Sequence, residues 1–386
     1  MDKLIYMDNA ATTFPKPKEV YDFMHEFYQN TGVNPGRSGF DKALEVEEMV
    51  HTTRKMLTDL FNGTDPNHLT FSYNASDSLN MIIGGMVSKG DHVITSNVEH
   101  NSVLRPLYHK KHDGEIELTY IPFDKNGYID PDDVKKAFKK NTRFVILNHG
   151  SNVIGTVQPV AEVGKHCKEA GIPFAIDASQ TAGAVNIDVK TMNIDIIAFT
   201  GHKCLMGPTG IGGSYVCEDV PIKGTRFGGT GVRSAHPFHL EEFPYRMECG
   251  TLNIVGVAGL HAGQKWLRKV GLEEMHKKEM VLWDKLRKEI EKIDGIITHC
   301  AVSPENHNAV LSFNIEGWVA GDVGTILDVD YNIACRTGLQ CAPLVHVQLG
   351  TDKLHGTVRL SLGPFNTEEH VDATIEAVRE IVEMKK

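Results

Sequence analysis

The middle third of the chain repeats one pattern: a short unbroken apolar run, a polar loop, then a helical stretch. Residues 143–147 (RFVIL) run into Asn148 and a Gly-containing loop. Residues 160–170 (VAEVGKHCKEA) read as a helix stopped by Gly171 and Pro173, and 174–176 (FAI) and 195–199 (DIIAF) are the next strands. Strands alternating with helices at this spacing predict parallel βαβ units. Parallel strands covered on both faces should be apolar throughout, as these are. Ligands of such sheets collect at the carboxyl ends of the strands. Asn152, Asp177, Gln180, Thr200, His202 and Lys203 follow those ends and are expected to converge on one crevice.

The rest of the chain fits an ordinary globular protein. At 386 residues it predicts about two to three domains. With 41% hydrophobic and 23% charged residues a large core needs no disulfide or metal staple. A formal charge of −10 gives no global attraction for nucleic acid or an anionic membrane. No apolar run has the length of a signal-peptide core or a membrane span. Seven scattered cysteines without a CxxC pair read as reduced thiols in a cytoplasm. HExxH, GxxxxGK[ST] and GxGxxG are absent, and no metal is implied.

From 225 to 253 the chain is Gly-rich, aperiodic and too long for a bland loop. Helices are expected over 254–270 and 272–293, then a smaller α/β unit with strands at 309–314, 331–335 and 357–362. A last helix should start near Asn366, capped by its side chain with Glu369 reaching back. The expected division is a large domain over 15–255 and a small one formed by 1–14 and 256–386.

Lys203 stands in TGHKCLMGPTGIGG, between a buried strand and a glycine-rich turn. A surface lysine beside a turn is the bland reading. A desolvated amine at the mouth of a parallel sheet suits a Schiff base to an aldehyde cofactor. Asp177 is a common sort of turn former after a strand, but it also suits the ring nitrogen of pyridoxal phosphate. FSYNASDSLN offers a helix start at Asn74, Ala75 and Ser76, either a plain cap or a phosphate site.

TGHKCLMGPTGIGG, IDASQTAG, SNVIGT, VEHNS and YMDNAATT together resemble the class V aminotransferases, fold-type I pyridoxal phosphate enzymes. RTGLQCAP is similar to the group II cysteine desulfurases and selenocysteine lyases among them. The resemblance spans residues 6 to about 363. It implies a large domain with a mostly parallel seven-stranded sheet flanked by helices, a smaller α/β domain and a homodimer. It further implies that Lys203 holds the cofactor, Asp177 meets the pyridine nitrogen, and Gln180 and Asn152 lie near the phenolic oxygen. His100 would stack on the ring; Ala75, Ser76, Thr200 and His202 would hold the phosphate. Thr251, in ECGTLN, matches a position that reaches the partner's phosphate. Arg359, within TVRLSL, would grip the substrate carboxylate, with Asn152 also facing it. Arg37, in NPGRSG, would line the entrance or serve as a plain turn residue.

Cys341 holds the family's sulfur-accepting position, and Arg336 is a cation that could favour its thiolate. The implied activity converts L-cysteine to L-alanine, leaving a persulfide on Cys341 for a sulfur-acceptor protein. L-Selenocysteine is the alternative substrate. A class V aminotransferase or epimerase that ignores Cys341 is a third reading, and a non-catalytic sulfur-trafficking protein a fourth. Two departures stand out: Leu339 and Gln340 replace the usual histidines before the cysteine, and Asp77 replaces the usual glutamate.

Overall fold

A computed structural model describes residues 4–35 and 40–384. Arg37 lies outside the described residues. The central sheet has seven strands, in spatial order Leu69–Ser72, Gly212–Val216, Ile196–Thr200, Phe174–Asp177, Thr142–Asn148, Asp91–Ser96 and Ile116–Ile121. Gly212–Val216 runs antiparallel to both neighbours and every other pairing is parallel. The apolar runs are continuous because both faces are covered. Within Thr142–Asn148, Val145 and Leu147 enter one core, while Phe144 and Ile146 enter the core on the other face. The helix Val160–Ala170 buries Val160, Val163 and Cys167 against the first of these, and Gly171 ends it in the left-handed region at φ 67°.

A second, four-stranded antiparallel sheet follows the order Arg336–Gly338, Thr357–Ser361, Val310–Ile315, Ile296–Thr298. It builds its own core with Trp283, Phe313, Val358 and Ile381. The helix Ile254–Val270 sends Val257, Ala258 and Leu260 into the core of the large sheet, so the second core opens with the helix Leu272–Ile290. The N-terminal segment crosses to this side: Ile5–Tyr6 pairs in parallel with Ile333–Ala334. Residues 225–253 contain neither helix nor strand.

Two local expectations change. Tyr331 closes the helix Ala320–Tyr331 rather than opening a strand, because Asn332 turns left-handed at φ 54° and leaves only Ile333–Ala334 extended. The last helix, Glu368–Glu383, is capped by Thr367, whose hydroxyl accepts from the His370 amide. Asn366 is occupied elsewhere: its Oδ1 accepts from Gly363 N (2.7 Å) and Asn9 Nδ2 (3.2 Å), and its Nδ2 donates to Tyr6 O (3.0 Å).

Candidate active site

A cavity of about 440 Å³ opens at the carboxyl ends of the parallel strands. Asp177 is the last residue of its strand and buried; its Oδ1 accepts from Ser179 N (2.9 Å) and Oγ (2.5 Å). Thr200 ends the next strand, and Lys203 follows on a turn closed by the Met206 amide donating to Lys203 O (2.9 Å). The N-terminal segment holds this turn. His202 O accepts from Thr13 N (3.2 Å), Thr12 Oγ1 (3.0 Å) and Lys16 Nζ (2.5 Å). Burial lowers the Lys203 amine below the ordinary lysine range; Asp177 opposes the shift and Arg359 adds to it. His100 caps the helix Asn101–His112, its Nδ1 accepting from the Ser102 amide (3.0 Å). Burial likewise lowers its imidazole.

On the opposite wall the helix Ala75–Met86 presents its N-terminus, capped by Asn74, and Ser76 Oγ meets Ser102 Oγ at 2.5 Å. The antiparallel strand crosses close behind this cap. A Cβ on Gly212 would lie 2.7 Å from Asn74 Cα and 2.8 Å from Phe199 O, so only glycine fits. Four buried polar atoms of cavity residues lack any partner: Thr200 Oγ1, His202 Nδ1, Asn152 Oδ1 and Arg359 Nε. Buried polar groups are normally paired, so this set marks where a polar ligand belongs.

Arg359 is 3% exposed within its strand. Its Nη1 donates to Asn152 O (2.8 Å) and its Nη2 to Asp8 Oδ1 (2.5 Å). Arg336 approaches the other oxygen of Asp8 at 4.0 Å. Gln180 donates to Ala10 O (2.9 Å) and Asn152 Nδ2 to Gln340 O (2.6 Å). Cys341 is exposed and lines the same cavity as Lys203. Burial pushes the thiols of Cys167, Cys204, Cys217, Cys300 and Cys335 up to about 12, which leaves them unreactive. Thr251 is exposed on the irregular segment and does not line the cavity.

The class-V aminotransferase family model matches residues 5–374. The chain belongs to this family. Among class-V relatives, a probable cysteine desulfurase of Methanothermobacter thermautotrophicus is 33% identical, over 98% of this chain and 95% of the relative. The cysteine desulfurase IscS of Clostridium botulinum is 30% identical, over 100% and 96%. The apo structure of a cysteine desulfurase from Thermococcus onnurineus superposes with a TM-score of 0.93 at 32% identity, covering 99% of this chain and 95% of that one.

Class-V enzymes use pyridoxal phosphate, and the cavity fits it. An amine, a buried carboxylate and a donor-rich helix start face one space, with unpartnered Thr200 and His202 atoms beside the helix. Several residues of this class-V site escaped the sequence reading: Asp8, Lys16, Glu99, Ser102, Asn148 and Ser179. Asp8 was legible in principle, as the one charged residue inside YMDNAATT.

Proposed function

We propose that this chain is a pyridoxal phosphate-dependent cysteine desulfurase. The observation that carries the reading is one cavity lined by Lys203, Asp177, Arg359 and Cys341. Bound there, pyridoxal phosphate supplies an electron sink for the substrate's α-carbon. Lys203 would hold the cofactor until the substrate's amine displaces it, and the freed amine, lowered by burial, would take the α-proton at Nζ. Asp177, kept in place by Ser179, would meet the pyridine nitrogen. His100, which lines the cavity, would pack over the ring. Gln180 and Asn152 serve the phenolic oxygen, and Ala75, Ser76, Thr200 and His202 the phosphate.

Arg359 receives the substrate carboxylate, with Asp8 fixing the guanidinium plane. The Cys341 thiolate forms a bond to the substrate sulfur as the carbon–sulfur bond breaks. The carbon keeps the electron pair and takes up a proton, so L-alanine leaves and a persulfide remains for an acceptor protein. The same reading makes the enzyme a cytoplasmic homodimer, with Thr251 reaching the partner's phosphate site. It divides the chain into a large unit over 15–255 and a small one over 1–14 and 256–386, with the helix Ile254–Val270 crossing that boundary to pack on the large unit's core.

Selenocysteine lyase is the second reading. It is favoured by Leu339 and Gln340, which put no titratable side chain next to Cys341. One set of variants separates these. Wild type should be yellow and bleach with borohydride, and Lys203→Ala should be colourless. Cys341→Ala should lose alanine release from L-cysteine by about 100-fold or more while keeping its colour. Full activity of Cys341→Ala on L-cysteine would end the persulfide role. Activity confined to L-selenocysteine and retained in that variant would favour the lyase.

A further inference from the structure

The residue before Cys341 fastens the loop from beneath. Gln340 is 6% exposed, yet its backbone is left-handed at φ 39°, and Cys341 follows at φ 60°. Non-glycine residues in this region are strained and persist where the surroundings hold them. The holding contacts are specific. Gln340 Nε2 donates to Thr357 O (2.9 Å), and Oε1 pairs with His346 Nε2 (3.0 Å) and accepts from Thr357 Oγ1 (3.4 Å). His346 is fully buried, and its Nδ1 pairs with Thr351 Oγ1 (2.8 Å).

The amide orientation assigns the remaining protons. Because Nε2 of Gln340 must face the Thr357 carbonyl, Oε1 is the acceptor, so His346 carries its proton on Nε2. Its Nδ1 then accepts from Thr351. Burial lowers this imidazole to about 4, so the neutral form persists at working pH. The backbone is tied on the cavity side as well: Asn152 Nδ2 donates to Gln340 O (2.6 Å) and Asn101 N to Cys341 O (2.7 Å). At the loop's root Gly338 and Gly356 both sit at φ 94°. A Cβ on Gly356 would lie 2.2 Å from the Gly338 carbonyl, so only glycine allows the backbones to approach this closely.

We propose that Gln340 is a positioning residue: an inward-facing clamp, braced by His346 and Thr351, that fixes Cys341 at the cavity rim for attack on the substrate sulfur. The inference rests on the desulfurase reading and deepens it. Glutamate at 340 could not donate to the Thr357 carbonyl. Methionine would fill the same volume and make neither bond. The loop's geometry then does what a neighbouring charge would otherwise do.

The test uses holoenzyme and two readouts. Gln340→Met should lower kcat on L-cysteine by about 100-fold with KM changed less than about twofold, the cost of roughly an ångström of misplacement. The rate of Cys341 alkylation by iodoacetamide should rise by at least about threefold, because the loop is released, while its pH midpoint stays where it was. A wild-type kcat, or a lowered kcat accompanied by a moved midpoint, overturns the clamp. If Gln340→Met does not fold, Thr351→Val cuts the far end of the network without touching the loop. It should lower kcat by about threefold or more with KM held, and an unchanged kcat overturns the proposal. Cys341→Ala separates the two layers. If that variant is fully active, the persulfide reading has failed; if it is dead and Gln340→Met is normal, only the clamp has.

Discussion

Glu99 is fully buried beside the cavity wall, one residue before His100. Its Oε1 accepts from Ser96 Oγ (2.6 Å) and Asn148 N (2.9 Å), and its Oε2 has no partner. Asn148 lies opposite Asp177 across the parallel pair, so this carboxyl braces the strand end beside Asp177. Burial pushes Glu99 up to about 8 from 4.5; the Ser96 and Asn148 bonds pull it down, and Asp177 adds to the rise. The folded chain therefore binds this proton over a range where the unfolded chain has released it. Stability must fall as pH climbs from about 4.5 to about 8, by up to about 1.4 kcal/mol per unit. Glu99→Gln should remove that slope. Urea melts at about pH 5, 6.5 and 8 should show the variant gaining on the parent as pH rises; parallel curves would count against a neutral Glu99. Lys203 and Arg359 were legible in the sequence because an amine after a buried strand and a charge inside an apolar strand have few structural uses. The depth of Glu99 and the inward turn of Gln340 were not, since both depend on residues far along the chain.

The segments that sequence reads best are those whose pattern is set locally. Residues 143–147 and 174–176 are strands because nothing polar interrupts them, and Gly171 marks a helix end through a backbone conformation only it adopts easily. What pins the aperiodic 225–253 segment is a long-range pair. Arg54, from the helix Asp41–Leu60, meets Glu248 through two bonds of 2.7 and 2.8 Å. The pair is buried, and Glu248 also accepts from Phe71 N (2.6 Å). Arg54→Met would leave a carboxylate in the interior with only that amide. Such an uncompensated charge costs about 3–5 kcal/mol, measurable by denaturant titration. A loss under about 1 kcal/mol would mean that the segment is held by other contacts. The Asn366 cap has in part the same origin: besides the nearby Gly363 amide, its competitors Asn9 and Tyr6 lie more than three hundred positions away.

Among the described residues no helix is long and apolar enough to cross a membrane. Two aromatic side chains of the irregular segment nevertheless face outward, Phe227 at 73% and Phe238 at 78% exposure. Exposed aromatics clustered on one segment fit an interface better than a monomer's surface. Under the proposed homodimer, sedimentation should find two chains at micromolar concentration. Phe238→Asp should weaken that association and speed cofactor loss, because Thr251 lies on the same segment. A monomeric wild type that keeps its colour would remove Thr251 from the site.

The segment 7–13 ties the pocket to distant parts of the chain. Met7 N donates to Ala334 O, Ala10 N to Ser361 Oγ, and Asp8 pairs with Arg359, while Thr12 and Thr13 hold the turn before Lys203. Residues separated by more than three hundred positions thus close this pocket together. A chain cut short before residue 359 would lack both the Arg359 partner of Asp8 and the Ser361 hydroxyl that meets Ala10 N, and so could not complete this pocket.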